Sequence, residues 1–255
     1  MDILNAFILG IVEGVSEFLP ISSTGHLILT SRLLGISQTE FIKTFEIVIQ
    51  FGAILSVVVL YWKKFLVHSE VLKRVCVAFL PTAVIGLVFY KIVKKFLLGN
   101  SQVVIWALFL GGLFLILFEL FHREKENTVT DVTSISYKQA AFIGLFQSIA
   151  IIPGVSRSAA TIIGGLMLDL RRDVIVEFSF LLAVPTMLAA TLLDLYKSAH
   201  PFTQDQFIFL GIGFMTSFIT AIFAIKLLVS FIKKHSFISF GIYRILIALS
   251  FWLIV

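Results

Sequence analysis

The sequence predicts an all-α polytopic membrane protein: an inverted-topology repeat of six transmembrane helices and two re-entrant helical hairpins. Three observations predict it. Only 14% of the 255 residues are charged and 59% are hydrophobic, where a soluble domain carries about 25% charged residues. So little charge cannot cover the surface of a soluble protein of this size. Several apolar runs reach about 20 residues, the length that spans a bilayer. Polar, helix-breaking sequence interrupts two of the apolar stretches, at Pro20 and at Pro153-Gly154, in corresponding parts of the two halves.

Composition also narrows the partners. The formal net charge of +5 fits a membrane surface rather than nucleic acid, because the basic residues sit in short loops and not in one patch. The single cysteine, Cys76, rules out a disulfide within the chain and says nothing about redox compartment. Asp2 is acidic and the first basic residue is Arg32, so no cleavable signal peptide is expected and the first membrane segments would serve for targeting.

Residues 3–18 and 22–34 are each short for a span, and the Pro20–His26 break joins them. A polar turn can sit at mid-membrane only where protein covers it. The pair therefore reads as a re-entrant hairpin over 3–34; the alternative is two ordinary spans with an outside loop. Spans follow at 40–61, 75–93 (broken mildly by Pro81) and 102–121. Residues 123–136 are the most polar stretch and form the linker. A second hairpin is expected over 138–170, then spans at about 173–195, 206–230 and 237–254.

The halves, 1–125 and 126–255, read as repeats within one integrated membrane domain. Ala6–Glu13 sets against Ala140–Gln147, and Ser22-Ser23-Thr24 against Ser156-Arg157-Ser158, both at an offset of 134. Phe45-Glu46 sets against Val176-Glu177. Three spans per half is odd, so the halves must insert in opposite orientations, with broken helices meeting near the midplane. Lys63, Lys64, Lys73, Arg74, Arg123, Lys125, Lys138, Arg171, Arg172, Lys233 and Lys234 fall on one side; Arg32, Lys43, Lys91, Lys94, Lys95 and Lys197 fall on the other. The positive-inside rule makes the first side cytoplasmic and turns both termini outward.

Chemistry concentrates in Glu13-Gly14-Val15-Ser16-Glu17-Phe18-Leu19-Pro20-Ile21-Ser22-Ser23-Thr24-Gly25-His26. Glu13 and Glu17 are four apart and share a helix face. Pro20 ends that helix, and Ser22, Ser23 and Thr24 are good caps for the next. A helix start suits a phosphate, but carboxylates repel one, so they imply a metal ion, a general base, or both. The second break, Pro153-Gly154-Val155-Ser156-Arg157-Ser158-Ala159-Ala160-Thr161, supplies the missing cation. Ser156 can cap the helix in which Arg157 lies deep in the membrane, where an arginine is costly unless paired. Its donor fork matches a phosphate; the plainer role is an ion pair with Glu13 or Glu17 that ties the hairpins together.

Other polar residues read more mildly. Glu46 and Glu177 are repeat-related supports for the tips, and Gln50 and Gln147 are hydrogen-bonding struts. Asp169, Arg171, Arg172 and Asp173 look like a solvated connection, and Arg244 is expected to snorkel or pair. His68, His122, His200 and His235 are expected at the surface, and the 27 phenylalanines mostly against lipid.

Two carboxylates, a hydroxyl at a helix start, a histidine and an arginine are what phosphoester or pyrophosphate cleavage needs, where catalysis is mainly positioning and charge neutralisation. Glu13 and Glu17 can hold a hard divalent cation, Mg²⁺ or Ca²⁺, or one can act as base. Ser23 or Ser22 can be the nucleophile, with His26 one turn away to pass a proton. The stretch Glu13–Leu27 resembles the hallmark of the bacterial undecaprenyl-diphosphate phosphatases of the bacitracin-resistance type, and Pro153–Thr161 resembles that family's second hallmark. The resemblance runs end to end and includes Lys43-Thr44-Phe45-Glu46 and Gln50.

The resemblance implies a plasma-membrane enzyme of six spans and two re-entrant hairpins. It would remove the terminal phosphate of a C55 polyprenyl diphosphate at a site facing outward, and so recycle the cell-wall lipid carrier and confer bacitracin resistance. It maps the glutamate pair to Glu13 and Glu17, the serine to Ser23, the neighbouring hydroxyls to Ser22 and Thr24, the histidine to His26 and the phosphate-binding arginine to Arg157. Ser156, Ser158 and Thr161 join the phosphate-binding set, with Glu46 and Gln50 in support. The expected partners are that lipid substrate and the membrane lipids, with no nucleic acid; a homodimer is left open. The rival reading is a carrier that flips polyprenyl phosphate through the same site. The glutamate pair argues against it, since a pure anion carrier gains little from two acids beside its substrate.

Overall fold

The computed structural model describes residues 1–67, 69–93, 97, 100–123, 128–197 and 203–254. The expectations for His68, His200, Lys94, Lys95 and Lys125 fall outside them. The described residues form ten α-helices: α1 (Ile3–Ser16), α2 (Ser23–Leu33), α3 (Glu40–Val67), α4 (Ser69–Ile92), α5 (Ser101–Phe121), α6 (Tyr137–Ser148), α7 (Arg157–Leu166), α8 (Arg172–Lys197), α9 (Gln204–Ile232) and α10 (Ile238–Ile254). Among the described residues, α3, α4, α5, α8 and α9 are long and apolar enough to cross a membrane. The helix α10 has 17 residues, at the short end of what spans.

Each hairpin is a pair of short helices joined by an irregular break, as the proline positions predict. The pairs α1/α2 and α6/α7 pack within themselves. The helix α1 lies along α9, and α6 lies along α4; α3 packs on α9 and on α8, α8 packs on α4, and α5 packs on α10. Close approach explains two of these contacts. A Cβ on Gly10 would stand 2.8 Å from the Gly213 carbonyl oxygen, and one on Gly144 would stand 1.9 Å from that of Ala78. Without a hydrophobic drive between helices in lipid, such bare backbone contacts are how neighbours gain packing.

Helix ends gather at two surfaces. At one, Tyr137 donates to Glu70 (3.1 Å), Arg74 donates to the Ile135 carbonyl, and Arg172 pairs with Glu119 (2.6 Å). There Val129 of the linker also bridges Leu170. At the other, Met1 and Asn5 line a hollow with Leu34–Ser37 and Phe41.

Several readings need correction here. The helix α3 continues past 61 with a kink at Tyr61 (φ −115°, ψ 19°), so Lys63 and Lys64 lie on it and not in a loop. Lys64 then pairs with Glu177 at 3.0 Å, so Glu177 holds α8 to α3 and is no tip support. Pro81 sits within a continuous α4. Arg172 is no solvated connector, because its partner Glu119 is buried. Phe18, Phe45, Phe178, Phe180, Phe237 and Phe251 are among the largest fully buried side chains, while the other described phenylalanines are half-buried or exposed. Aromatic rings fill the space between crossing helices that small residues leave elsewhere. His122 stacks on Phe118, and exposed His235 stacks on Phe231.

Candidate active site

The two breaks meet at the centre. After α1 ends at Ser16, residues 17–21 turn and Ser22 adopts φ 72°, ψ 95° before α2 begins at Ser23. Ser22 makes no side-chain cap, which differs from the expected capping. The reason is its left-handed backbone: a capping side chain needs extended φ/ψ at that position. A non-glycine residue there carries about 1–3 kcal/mol of strain and persists only where its surroundings hold it. In the second hairpin Gly154 turns the chain at φ 92°, and Ser156 caps α7 by accepting from the Ala159 N–H at 3.2 Å.

Hydroxyls weld the tips. Ser158 Oγ donates to the Leu19 carbonyl at 2.8 Å and lies 3.0 Å from Ser156 Oγ. Thr161 Oγ1 lies 2.6 Å from Ser179 Oγ and 2.9 Å from the Ser158 carbonyl. Ser158 and Thr161 are fully buried. The structure places them in the seam between hairpins, with their hydroxyls committed to protein partners, and away from the phosphate role expected of them. The polar turn needed these groups because a break buried in protein must satisfy its own carbonyls.

At the seam stands a triad. Ser23 Oγ donates to Glu17 Oε2 at 2.5 Å. Arg157 Nη2 reaches the other oxygen, Glu17 Oε1, at 3.0 Å. Arg157 Nη1 donates to the Ser179 carbonyl at 3.1 Å, and its guanidinium sits over the Phe18 ring, 5.9 Å from the centroid. Its Nε is buried with no partner among the described residues. The arginine thus makes the ion pair between hairpins weighed from the sequence. Ser22 and Ser23, inseparable by sequence, are separated here, since only Ser23 engages Glu17.

Glu13 lies one turn earlier on α1, fully buried, and neither of its carboxylate oxygens has a hydrogen-bond partner among the described residues. Glu17, Glu46 and Arg157 are within its electrostatic reach. Glu46 accepts from Gln38 at 3.2 Å; Gln50 and Thr24 are half-buried. A buried carboxylate with two unmatched oxygens suits a hard cation. Among the described residues no three His, Cys, Asp or Glu side chains group as a metal cluster. A site of one or two carboxylates completed by phosphate and water is the usual arrangement for Mg²⁺. Gln147, 134 positions after Glu13, is the strut expected: its Nε2 donates to Thr82 (2.9 Å) and Thr186 (3.0 Å).

His26 does not face Ser23. Its Nδ1 lies 2.7 Å from the Ser22 carbonyl and its Nε2 lies 2.9 Å from Tyr243 Oη. The two rings stack at 5.4 Å, 8° apart. Next to Tyr243, Arg244 is 1% exposed; it does not snorkel, and among the described residues it finds no acid. It donates to four carbonyls: Ala107 (2.9 Å), Gly154 (3.2 Å), Pro20 (3.4 Å) and Leu108 (3.4 Å). A Cβ on Gly111 would stand 2.2 Å from its Nη2, so that glycine leaves the lane the guanidinium occupies. The sequence pointed to Arg244 but not to its carbonyl partners, and it did not point to Tyr243 at all. The one available signal was an arginine in the middle of an apolar span.

The chain matches the family model "Bacitracin resistance protein BacA" over residues 6–250. It is 53% identical over 253 residues to an undecaprenyl-diphosphatase of Sulfurihydrogenibium sp., covering 99% of both chains. It is 54% identical over 245 residues to an undecaprenyl-diphosphatase of Aquifex aeolicus, covering 96% of this chain and 95% of that one. A third undecaprenyl-diphosphatase, from Persephonella marina, is 52% identical over 256 residues and covers both chains fully. With nearly its whole length matched, from the first hairpin to α10, the chain belongs to the bacitracin resistance protein BacA family.

Proposed function

We propose that this protein is an integral membrane phosphatase that hydrolyses undecaprenyl diphosphate to undecaprenyl phosphate and inorganic phosphate, recycling the cell-wall lipid carrier and conferring bacitracin resistance. The observation that carries the chemistry is Glu17, with Ser23 on one oxygen and Arg157 on the other. Glu17 Oε2 takes the hydroxyl proton as Ser23 Oγ bonds to the terminal phosphorus. The bond from phosphorus to the bridging oxygen then breaks, and the polyprenyl phosphate leaves. Water attacks the phosphoserine, inorganic phosphate departs and Ser23 regains its proton. Arg157 neutralises charge on the transferred phosphoryl group.

Glu13, together with Glu17, would hold Mg²⁺ or Ca²⁺, which would supply further neutralisation of phosphate charge. We read the halves as inverted repeats, supported by the matched packing of α1 on α9 and α6 on α4. We place the protein in the bacterial plasma membrane with both termini and the site facing outward, supported by the basic residues at the opposite surface. No observation favours a carrier that only moves the lipid.

The test is phosphate release from C55 diphosphate by purified protein with divalent cation, for wild type beside Glu17→Ala and Arg157→Ala. Release by wild type and by neither variant is expected, with reversible loss in excess chelator. Release undiminished in either variant would remove that residue from the site, and turnover indifferent to chelator would leave the glutamates as acid and base alone. Arg157→Lys should not rescue, because a point charge does not reproduce the fork. A loss of about 10²-fold or more is expected, the scale of one lost transition-state donor. Near-normal turnover would remove the clamp.

A further inference from the structure

Ser22 is strained, sits immediately before Ser23, and has its carbonyl held by His26. A carbonyl oxygen only accepts, so His26 Nδ1 carries a hydrogen. In the neutral ring Nε2 is then an acceptor, and the group facing it is the Tyr243 hydroxyl at 2.9 Å. Tyr243 also stacks flat on the imidazole. The ring is therefore fixed in plane, in orientation and in tautomer by α10, and in turn grips the strained carbonyl. Left-handed backbone at a serine persists only where its neighbours over-determine it. The Ser22 carbonyl accepts the His26 backbone N–H at 3.3 Å as well as the shorter Nδ1 contact at 2.7 Å, and it is the side-chain contact that runs on through His26 to Tyr243.

We propose that Tyr243 is a positioning residue: through His26 it braces the strained Ser22 turn, so that the Ser23 hydroxyl stays on Glu17. This rests on the hydrolytic reading above. In this arrangement His26 serves as a strut and does not carry the nucleophile's proton, which goes to Glu17 at 2.5 Å. The phenol ring keeps its stack without its hydroxyl, so Tyr243→Phe removes one hydrogen bond and little else.

Two readouts test the brace. The first needs no turnover: nitrogen-15 spectra of protein labelled at histidine, with His26 assigned by its loss in His26→Asn. The Nδ1–H tautomer is expected in wild type, with an Nε2 shift that moves in Tyr243→Phe while Nδ1 stays. The Nε2–H tautomer, or an Nε2 signal blind to Tyr243→Phe, would overturn the proposal even if the protein proved not to be a phosphatase. The second readout is kinetic. Asparagine places an amide N–H near the Nδ1 position, so His26→Asn keeps the grip on Ser22 but loses Tyr243. Tyr243→Phe, His26→Asn and the double variant should each lower kcat by about tenfold, with KM within about twofold, as small misplacement of a reacting group does. Equal effects in all three support the brace. Additive losses, a proportionate rise in KM, no loss in Tyr243→Phe, or complete inactivity of His26→Asn would each refute it.

Discussion

Ser23→Ala should reduce phosphate release by at least about 10³-fold, while Ser22→Ala should leave it within about tenfold of wild type, since removing a nucleophile removes the covalent route itself. The two serines are adjacent, both buried, and chemically identical. Geometry alone tells them apart. Ser23 Oγ donates to Glu17 Oε2 at 2.5 Å, a charge-assisted contact that polarises the hydroxyl. What His26 holds at Ser22 is the carbonyl, which an alanine retains. Alanine also tolerates the positive φ no worse than serine does in any way that would move Ser23. The pair is best measured as single-turnover phosphate release, so that slow product release does not mask the chemical step. Equal losses in the two variants would mean that water attacks directly and that both hydroxyls merely line the phosphate. A labelled phosphate retained on wild-type protein and absent from Ser23→Ala would identify the attacked oxygen.

The fold was readable from sequence because lipid imposes few choices. Apolar runs must be helices, and a polar break within one must be covered by protein; Pro20 and Pro153-Gly154 announce both breaks. Glu17 and Arg157 were readable for a related reason, since a charge in such surroundings is kept only for pairing or chemistry. The hidden part has a common cause. Ser158 and Thr161 look like phosphate ligands because hydroxyls at a helix start look alike, whether they face substrate or the Leu19 carbonyl. Tyr243 meets His26 across 217 positions, and no local pattern encodes such a contact. Arg244 was visible as an expensive residue, but its partners are backbone carbonyls, which every residue has. Its environment had to be seen. The burial of Phe18, Phe178 and Phe180 was likewise invisible, because in a membrane protein the lipid-facing and core-facing surfaces are equally apolar.

Arg244→Met should lower stability by about 2–6 kcal/mol, from two buried carbonyls at roughly 1–3 kcal/mol each. Four carbonyls accept from Arg244, but they are not equivalent. Ala107 and Leu108 lie inside α5 and keep their helical partners. Pro20 and Gly154 lie at the breaks of the two hairpins, and among the described residues no other donor reaches either oxygen. Removing a buried charge also relieves its desolvation, and exchange of a whole buried ion pair for apolar residues is often neutral. That compensation is incomplete here, because the acceptors are backbone and cannot be exchanged along with the arginine. Arg244→Lys should fall between, since its three donors radiate from a single nitrogen and cannot span both breaks. Thermal unfolding in detergent should rank wild type above Lys and Lys above Met. Because the same side chain holds Pro20 and Gly154, loosening it frees the turn that carries Ser22 and the turn that carries Arg157 together. Phosphate release should therefore fail in Arg244→Met at temperatures where the protein is still folded. A methionine variant within about 1 kcal/mol of wild type, less than one lost buried hydrogen bond, would show that the two tips hold each other without α10.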